Sequence, residues 1–212
     1  MIVGIIQHRN GNTRLPSKVM KEVNGKTLVE IQLERILKSE RLDKVVIATT
    51  HNPEDDVFVE IGKDYCIDVF RGSENDLVKR LYECALYSGA DIIVRICGDN
   101  PLIESIEIDR LIDYHLNSCN DFTSNAGDYG DYPDGLGAEA YNLETLNHMY
   151  MLVHKIKNRE HPHMCIYDNE EMYFRNTNLR ILHWYGIEIC GESKYWFRGF
   201  ESHWYLVKVE QF

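Results

Sequence analysis

Arg9, Arg14 and Lys18 stand in one short polar loop with Gly11, and Asn10, Asn12, Thr13 and Ser17 add side chains able to hydrogen-bond. The loop follows an apolar run, Ile2 to Ile6, that reads as a buried strand. A Gly-containing loop at the carboxyl end of a first strand can aim backbone N–H groups at phosphate oxygens. In open α/β sheets this is the edge at which ligands bind. Cations then neutralise what the amides hold, Arg as a fork and Lys as a point charge. The implied ligand is a polyphosphate. The spacing alone also fits a solvated loop with ordinary surface cations, because short motifs recur by chance. Neither GxxxxGK[ST] nor GxGxxG is present here, so P-loop hydrolases and Rossmann dehydrogenases fit poorly.

Asp99 is the second residue with chemical promise. It follows another apolar run, Ile92 to Ile96, in the turn Cys97-Gly98-Asp99-Asn100-Pro101. A carboxylate at that edge can hold Mg²⁺, a hard cation that shares its oxygen ligands with substrate phosphates. An Asp in such a turn also has a plain structural role, since Asp favours turns. The basic loop on the first strand tips the reading towards a metal–phosphate site.

The elements that position these residues follow from periodicity. Apolar runs at 45–50, 67–70 and 92–96 read as further buried strands. Helical patterns cover about 27–37, 75–87, 106–116 and 143–155, and the stretch from His51 to Asp56 resembles a capped helix start. Strand–helix alternation of this kind predicts an α/β fold with a mainly parallel, doubly wound sheet. From Tyr173 onward β-branched and aromatic residues dominate, which predicts a small C-terminal β extension at about 173–205, a possible arm for dimerisation or acceptor binding. The 212 residues form one domain on this reading.

Composition narrows the partners. Lys and Arg number 23 against 34 Asp and Glu, a net charge of −11, which argues against bulk nucleic-acid binding. No apolar run approaches the ~20 residues that span a bilayer, and no secretory signal is expected. The six cysteines are scattered without a CxxC pair, which reads as reduced thiols in a cytoplasmic protein.

Three blocks together resemble a known family. They are Arg9-Asn10-Gly11-Asn12-Thr13-Arg14-Leu15-Pro16-Ser17-Lys18, then Phe70-Arg71-Gly72-Ser73-Glu74-Asn75-Asp76 with Arg95-Ile96-Cys97-Gly98-Asp99-Asn100-Pro101-Leu102, and Pro133-Asp134-Gly135-Leu136-Gly137-Ala138-Glu139 with Arg159-Glu160-His161. In this order they resemble cytidylyltransferases of the spore-coat polysaccharide type, relatives of the enzymes that activate sialic acid and Kdo. The resemblance implies a nucleotidyltransferase fold and attack of an acceptor on the α-phosphate of CTP, releasing pyrophosphate, for cell-surface polysaccharide synthesis. It implies that Lys18, Arg9 and Asp99 are catalytic. Nucleotide contacts would come from Gln7, Arg9, Gly11, Asn12, Thr13, Arg14, Lys18, Thr49, Thr50, Arg71, Gly72, Ser73 and Asp76, with Mg²⁺ on Asp99. Arg95 fits either a place near the phosphates or a strand position paired to an acid.

The family loop carries Ser where Asn12 stands, and its terminal V-D-x-x-x-D is reduced here to Gly199-Phe200-Glu201-Ser202-His203-Trp204-Tyr205, which lacks the second acid; the resemblance implies Glu201 in place of the first Asp as a metal ligand. The acceptor, a sugar acid or a phosphorylated small molecule, would meet Asp134, Glu139, Arg159 and His161, with His163 beside them. Asp134 and Glu139 also fit a solvated loop with helix-start acids. A hydroxyl acceptor needs a general base, for which His161 is the candidate; an ionised phosphate or phosphonate needs cations, for which Arg159 with Arg175 or Arg180 would serve. Competing readings are another NTP as donor, or a non-catalytic nucleotide-binding homologue. A homodimer is expected, although Trp184, Tyr185, Trp196, Phe197 and Trp204 fit local core equally well.

Overall fold

The computed structural model describes residues 1–11, 17–118, 121–125, 135–152, 159, 161–167, 181–183, 185–189, 193–200 and 203–208. Strands β1 (Ile2–Gln7), β4 (Lys44–Thr50), β5 (Asp68–Gly72) and β6 (Ile92–Cys97) are parallel and lie in the order β5-β4-β1-β6. Beyond β6 come β8 (Glu139–Asn142), β7 (Phe122–Ser124) and β9 (Ile181–His183), with β8 antiparallel to both its neighbours. The result is the mainly parallel α/β sheet expected from the alternation.

Both faces of the sheet are covered, as the apolar runs of β1, β4 and β6 require. Helices α3 (Leu77–Ser88), α5 (Leu143–Leu152) and α6 (Pro162–Tyr167) bury Leu81, Met149 and Ile166 against Val3, Ile5, Ile93 and Tyr141. Helices α1 (Leu28–Ile36), α2 (Asp56–Asp64) and α4 (Ser105–Ser118) cover the other face, where Leu33, Phe58 and Ile112 meet Ile6, Ile47, Val94 and Ala140. Local chemistry sets the helix ends. Thr27 and Glu30 form a reciprocal capping box at α1. Asp76 caps α3 by accepting from Lys79 N at 2.8 Å, and Gly89 closes that helix at φ 71.

Three features depart from the sequence reading. Strands β7 and β8 were not foreseen, because three or four residues with Glu139 and Asn142 among them show neither an apolar run nor alternation. The late strands were expected outside the alternation, yet β9 extends the main sheet, while β10 (Tyr185–Ile189), β11 (Ser193–Phe200) and β12 (His203–Lys208) form a three-stranded antiparallel sheet. A small hairpin, β2 (Glu22–Val23) and β3 (Lys26–Thr27), precedes α1. It turns on Asn24-Gly25, both at positive φ (52 and 79), as two-residue hairpins favour. Among the described residues Cys66 and Cys84 are free thiols.

The chain runs from β1 towards β4 on one side, whereas β6 lies on the other, so the strand order reverses between β1 and β6. A crevice outside their carboxyl ends is the usual ligand position in such sheets. Close packing defines this point. A Cβ on Gly98 would lie 2.3 Å from His8 Nδ1 and 2.4 Å from the Gln7 carbonyl oxygen, so the backbone after β6 touches the backbone after β1. Gly98→Ala should therefore destabilise the fold by about 1–3 kcal/mol, the range for an overpacked core site. Urea denaturation checks this, and an unchanged midpoint would contradict the contact.

Candidate active site

Lys18 and Asp99 meet at the reversal point. Lys18 opens a short 3₁₀ turn, Lys18–Met20, after Ser17 in the left-handed region at φ 51, and Val19 anchors the turn in the core. The Lys18 ammonium lies 2.9 Å from Asp99 Oδ2. Asp99 sits in a turn held from α1. Gln32, fully buried, donates through Nε2 to the Cys97 carbonyl at 2.8 Å and the Asn100 carbonyl at 2.9 Å. Arg35 Nε donates to the Ile103 carbonyl at 3.1 Å and its guanidinium pairs with Glu104. Asn100 Nδ2 reaches the Gly137 carbonyl at 3.1 Å. Partial burial alone would raise the Asp99 carboxyl. The hydrogen bond and charge of Lys18, a backbone N–H and the charge of Arg95 outweigh it and hold the group below its usual range.

A second bracket shapes the basic loop. Buried Asp55 accepts from Asn10 N at 2.7 Å through one oxygen and from the Thr50 hydroxyl and Thr50 N through the other. Asn10 Nδ2 donates to the Glu54 carbonyl at 2.7 Å. Arg71, expected at the nucleotide, is engaged by the protein itself: Nε donates to Thr50 O at 2.7 Å, Nη2 to Asn52 O at 2.8 Å, and Nη1 lies 2.5 Å from Asp56. Arg71 thus shapes the loop after β4. Gly72 packs against the stem of Arg80, which donates to Ser73 O at 2.6 Å. Burial, then the nearby charge of Arg9, pushes the Arg80 guanidinium down to about 10. Arg80 gave no sequence signal, since Arg in an amphipathic helix reads as a solvated residue. Thr49 is fully buried, Gln7 borders the rim at the end of β1, and Arg9 and Gly11 are exposed.

The expected acceptor residues divide into two groups. Glu139 is buried, with Oε2 2.7 Å from Arg95 Nη1 and bonded to the Tyr141 hydroxyl, and Oε1 3.0 Å from His163 Nδ1. It is therefore a framework carboxylate, and the solvated-loop alternative is excluded. Arg95 takes the strand role, also donating to Gln7 Oε1 at 2.8 Å and towards Cys97 Sγ at 3.3 Å. Arg159 pairs with Asp76 at 2.6 Å and lies over Tyr150, so neither Arg159 nor Asp76 stands as an isolated charge. His161 is exposed and its ring lies 5.9 Å from that of His163, which is largely buried. Asn12, Thr13, Arg14, Asp134, Arg175, Arg180, Trp184 and Glu201 lie outside the described residues, and only the backbone is described at 185, 196, 197 and 204.

Lys18 and the Asp99 carboxylate at the reversal point of such a sheet fit a nucleotidyltransferase-type site. The cytidylyltransferase family model matches residues 3–185, and the chain belongs to that family. It is 36% identical over 172 residues to an uncharacterised protein of Methanocaldococcus jannaschii, covering 81% of this chain and 69% of that one. It is 33% identical over 130 residues to the spore coat polysaccharide biosynthesis protein SpsF of Bacillus subtilis, covering 58% and 52%. It is 31% identical over 116 residues to the 3-deoxy-manno-octulosonate cytidylyltransferase of Trichlorobacter lovleyi, covering 54% and 45%. The chain therefore spans about half the length of the latter two. A cytidylyltransferase structure from Leptospira borgpetersenii superposes with TM-score 0.76 at 33% identity, covering 81% of this chain and 72% of that one.

Beneath the Asp99 turn, His8 is buried and stacks on Phe58 with ring centroids 5.0 Å apart. Burial lowers it from 6.5 to about 4, against the opposing pull of Asp99, Gln32 and Asp55. The folded state keeps this ring neutral, while the unfolded chain protonates it below about pH 6.5. The stabilisation is complete above that pH and is lost as pH falls towards 4. Between pH 7 and pH 4 the wild type should lose about 3 kcal/mol more stability than His8→Leu. Denaturation curves at several pH values measure this, and parallel losses would contradict it.

Proposed function

We propose that the protein transfers the cytidylyl group of CTP to a small-molecule acceptor, releasing pyrophosphate. The observation that carries the reading is the Lys18–Asp99 pair, 2.9 Å apart at the crevice between β1 and β6. Family membership supports CTP as the donor. The names of SpsF and of the octulosonate cytidylyltransferase support a sugar acid as acceptor and a role in polysaccharide synthesis.

Chemically, the transfer needs an acceptor oxygen in line with the leaving pyrophosphate and positive charge to receive what builds up on it. Lys18 supplies a compact charge, and Arg9 supplies a second from the mouth of the loop. Asp99 fits a magnesium site: it is an oxygen donor, half-exposed, ionised, and next to the lysine that would face the phosphates. Among the described residues no three His, Cys, Asp or Glu cluster as a metal cage. That suits an ion carried largely on substrate phosphates. When bound, Mg²⁺ supplies charge neutralisation at the α-phosphate. Nucleotide entry would exchange the Lys18–Asp99 contact for phosphate and metal contacts, so the pair keeps both groups ordered in the free protein.

The C-terminal β-strands, within the single domain proposed for the chain, would form a homodimer contact. Sedimentation at micromolar concentration should find a dimer; a monomer would remove that element. For the chemistry, Lys18→Ala and Asp99→Asn should each lower CTP-dependent pyrophosphate release by ~100-fold or more, as loss of charge stabilisation does. CTP should raise the melting temperature more than ATP, GTP or UTP. Near-normal release from either variant would overturn the assignment.

A further inference from the structure

Gln32 holds the Asp99 turn through its amide nitrogen alone. Nε2 donates to the Cys97 and Asn100 carbonyls at 2.8 and 2.9 Å, which leaves Oε1 fully buried and without a hydrogen-bond partner among the described residues. His8 is in the same condition: its ring is buried, and neither Nδ1 nor Nε2 has such a partner. The hydroxyl of Thr49, fully buried at the end of β4, is a third case. Buried polar atoms are nearly always hydrogen-bonded, and where protein groups do not serve, an ordered internal water does.

The topology brings these groups to one place. His8 follows β1, and its backbone N–H donates to the Ala48 carbonyl at 3.1 Å, which continues the β1–β4 register and makes His8 and Thr49 neighbours. Side chains alternate along a strand, so both lie on the face of Ile6 and Ile47 that α1 and α2 cover. Phe58 of α2 stacks on the His8 ring at 5.0 Å. Gly98, the residue before Asp99, presses on the ring edge, where a Cβ would lie 2.3 Å from Nδ1. Gln32 reaches the ring from α1. Its amide oxygen favours a proton there, as do the charges of Asp99 and Asp55, and burial outweighs all three and keeps the ring neutral.

Resting on the reading above, we propose that His8 is a positioning residue of the site: through one internal water it orders the Gln32 amide, and with it the turn that carries Asp99. A polar contact longer than a hydrogen bond is the usual place for a bridging water. Donors and acceptors match. A neutral imidazole offers one N–H and one lone pair. The water accepts from the His8 N–H, donates to Gln32 Oε1 and meets the Thr49 hydroxyl, about three bonds, as buried waters make. Thr49 is then a framework hydroxyl rather than a nucleotide contact. Held at its oxygen, the Gln32 amide cannot turn about its last bond and set that oxygen against the two carbonyls it now holds. His8 touches neither nucleotide nor metal and acts on Asp99 through Gln32.

Two sets of measurements on the whole chain test this. A crystal structure of the ligand-free protein should show a water within hydrogen-bond distance of both Gln32 Oε1 and a His8 nitrogen, and ¹⁵N-imidazole spectra should show His8 in a single neutral tautomer. Thermal shifts with CTP, in Mg²⁺ or in EDTA, read the effect on the site. In the wild type Mg²⁺ should enlarge the CTP shift, and Asp99→Asn should remove that increment. His8→Leu should need about tenfold more Mg²⁺ to reach half the increment, with the CTP shift in EDTA unchanged. His8→Gln, which restores an N–H donor, should recover most of the wild-type response. A histidine that only fills the core would lower the melting temperature of His8→Leu and leave its Mg²⁺ requirement as in the wild type, and that result would overturn the proposal. So would the absence of a water at Gln32 Oε1, an even mixture of tautomers, a His8→Gln variant no better than His8→Leu, or a wild-type CTP shift indifferent to Mg²⁺. If CTP gives no shift under either condition, the cytidylyltransferase reading falls, while the water and the tautomer still decide whether His8 orders Gln32.

Discussion

Gln32 joins the helix layer to the chemistry. Its amide nitrogen donates to two carbonyls of the turn that carries Asp99, and it does so from a fully buried position on α1. A buried carbonyl left without a donor costs on the order of 1–3 kcal/mol, so the turn has one favourable conformation while α1 stays packed. The helix packs through Val29, Leu33 and Ile36 against the face that holds Ile6 and Ile96, the strands leading to Lys18 and Asp99. Core packing, the turn and the ammonium–carboxylate contact are therefore one mechanical unit. Asp55 performs the same service for the basic loop, linking Asn10 to Thr50.

Charge at this edge is mostly paired: Lys18 with Asp99, Arg95 with Glu139 and Arg159 with Asp76, in a chain whose net charge is −11. Attraction for a polyphosphate is therefore local rather than global. The Arg95–Glu139 pair is nearly fully buried, and removing one partner would leave a buried charge costing about 3–5 kcal/mol.

Much of this was legible in the residues. β1, β4 and β6 announce themselves as apolar runs because both their faces are covered, and the positions of Lys18 and Asp99 follow from where those runs end. β8 was not legible, because a strand whose first residue is a buried glutamate breaks every periodicity rule. The glutamate belongs there only because Arg95 stands opposite, a pairing between residues far apart in the chain. For Arg71 and Arg159 the sequence shows a cation but not the carbonyls and carboxylates that each meets in the structure. Asp55, Gln32 and Arg80 carried no signal, since their roles exist only once loops and helices meet.

The most direct test is a crystal structure of the protein with CTP and Mg²⁺. The expected result is a triphosphate in the crevice between β1 and β6, with the Lys18 ammonium on a phosphate oxygen and the Asp99 carboxylate turned to the metal. A nucleotide bound elsewhere, with the Lys18–Asp99 contact intact and no phosphate beside it, would contradict it.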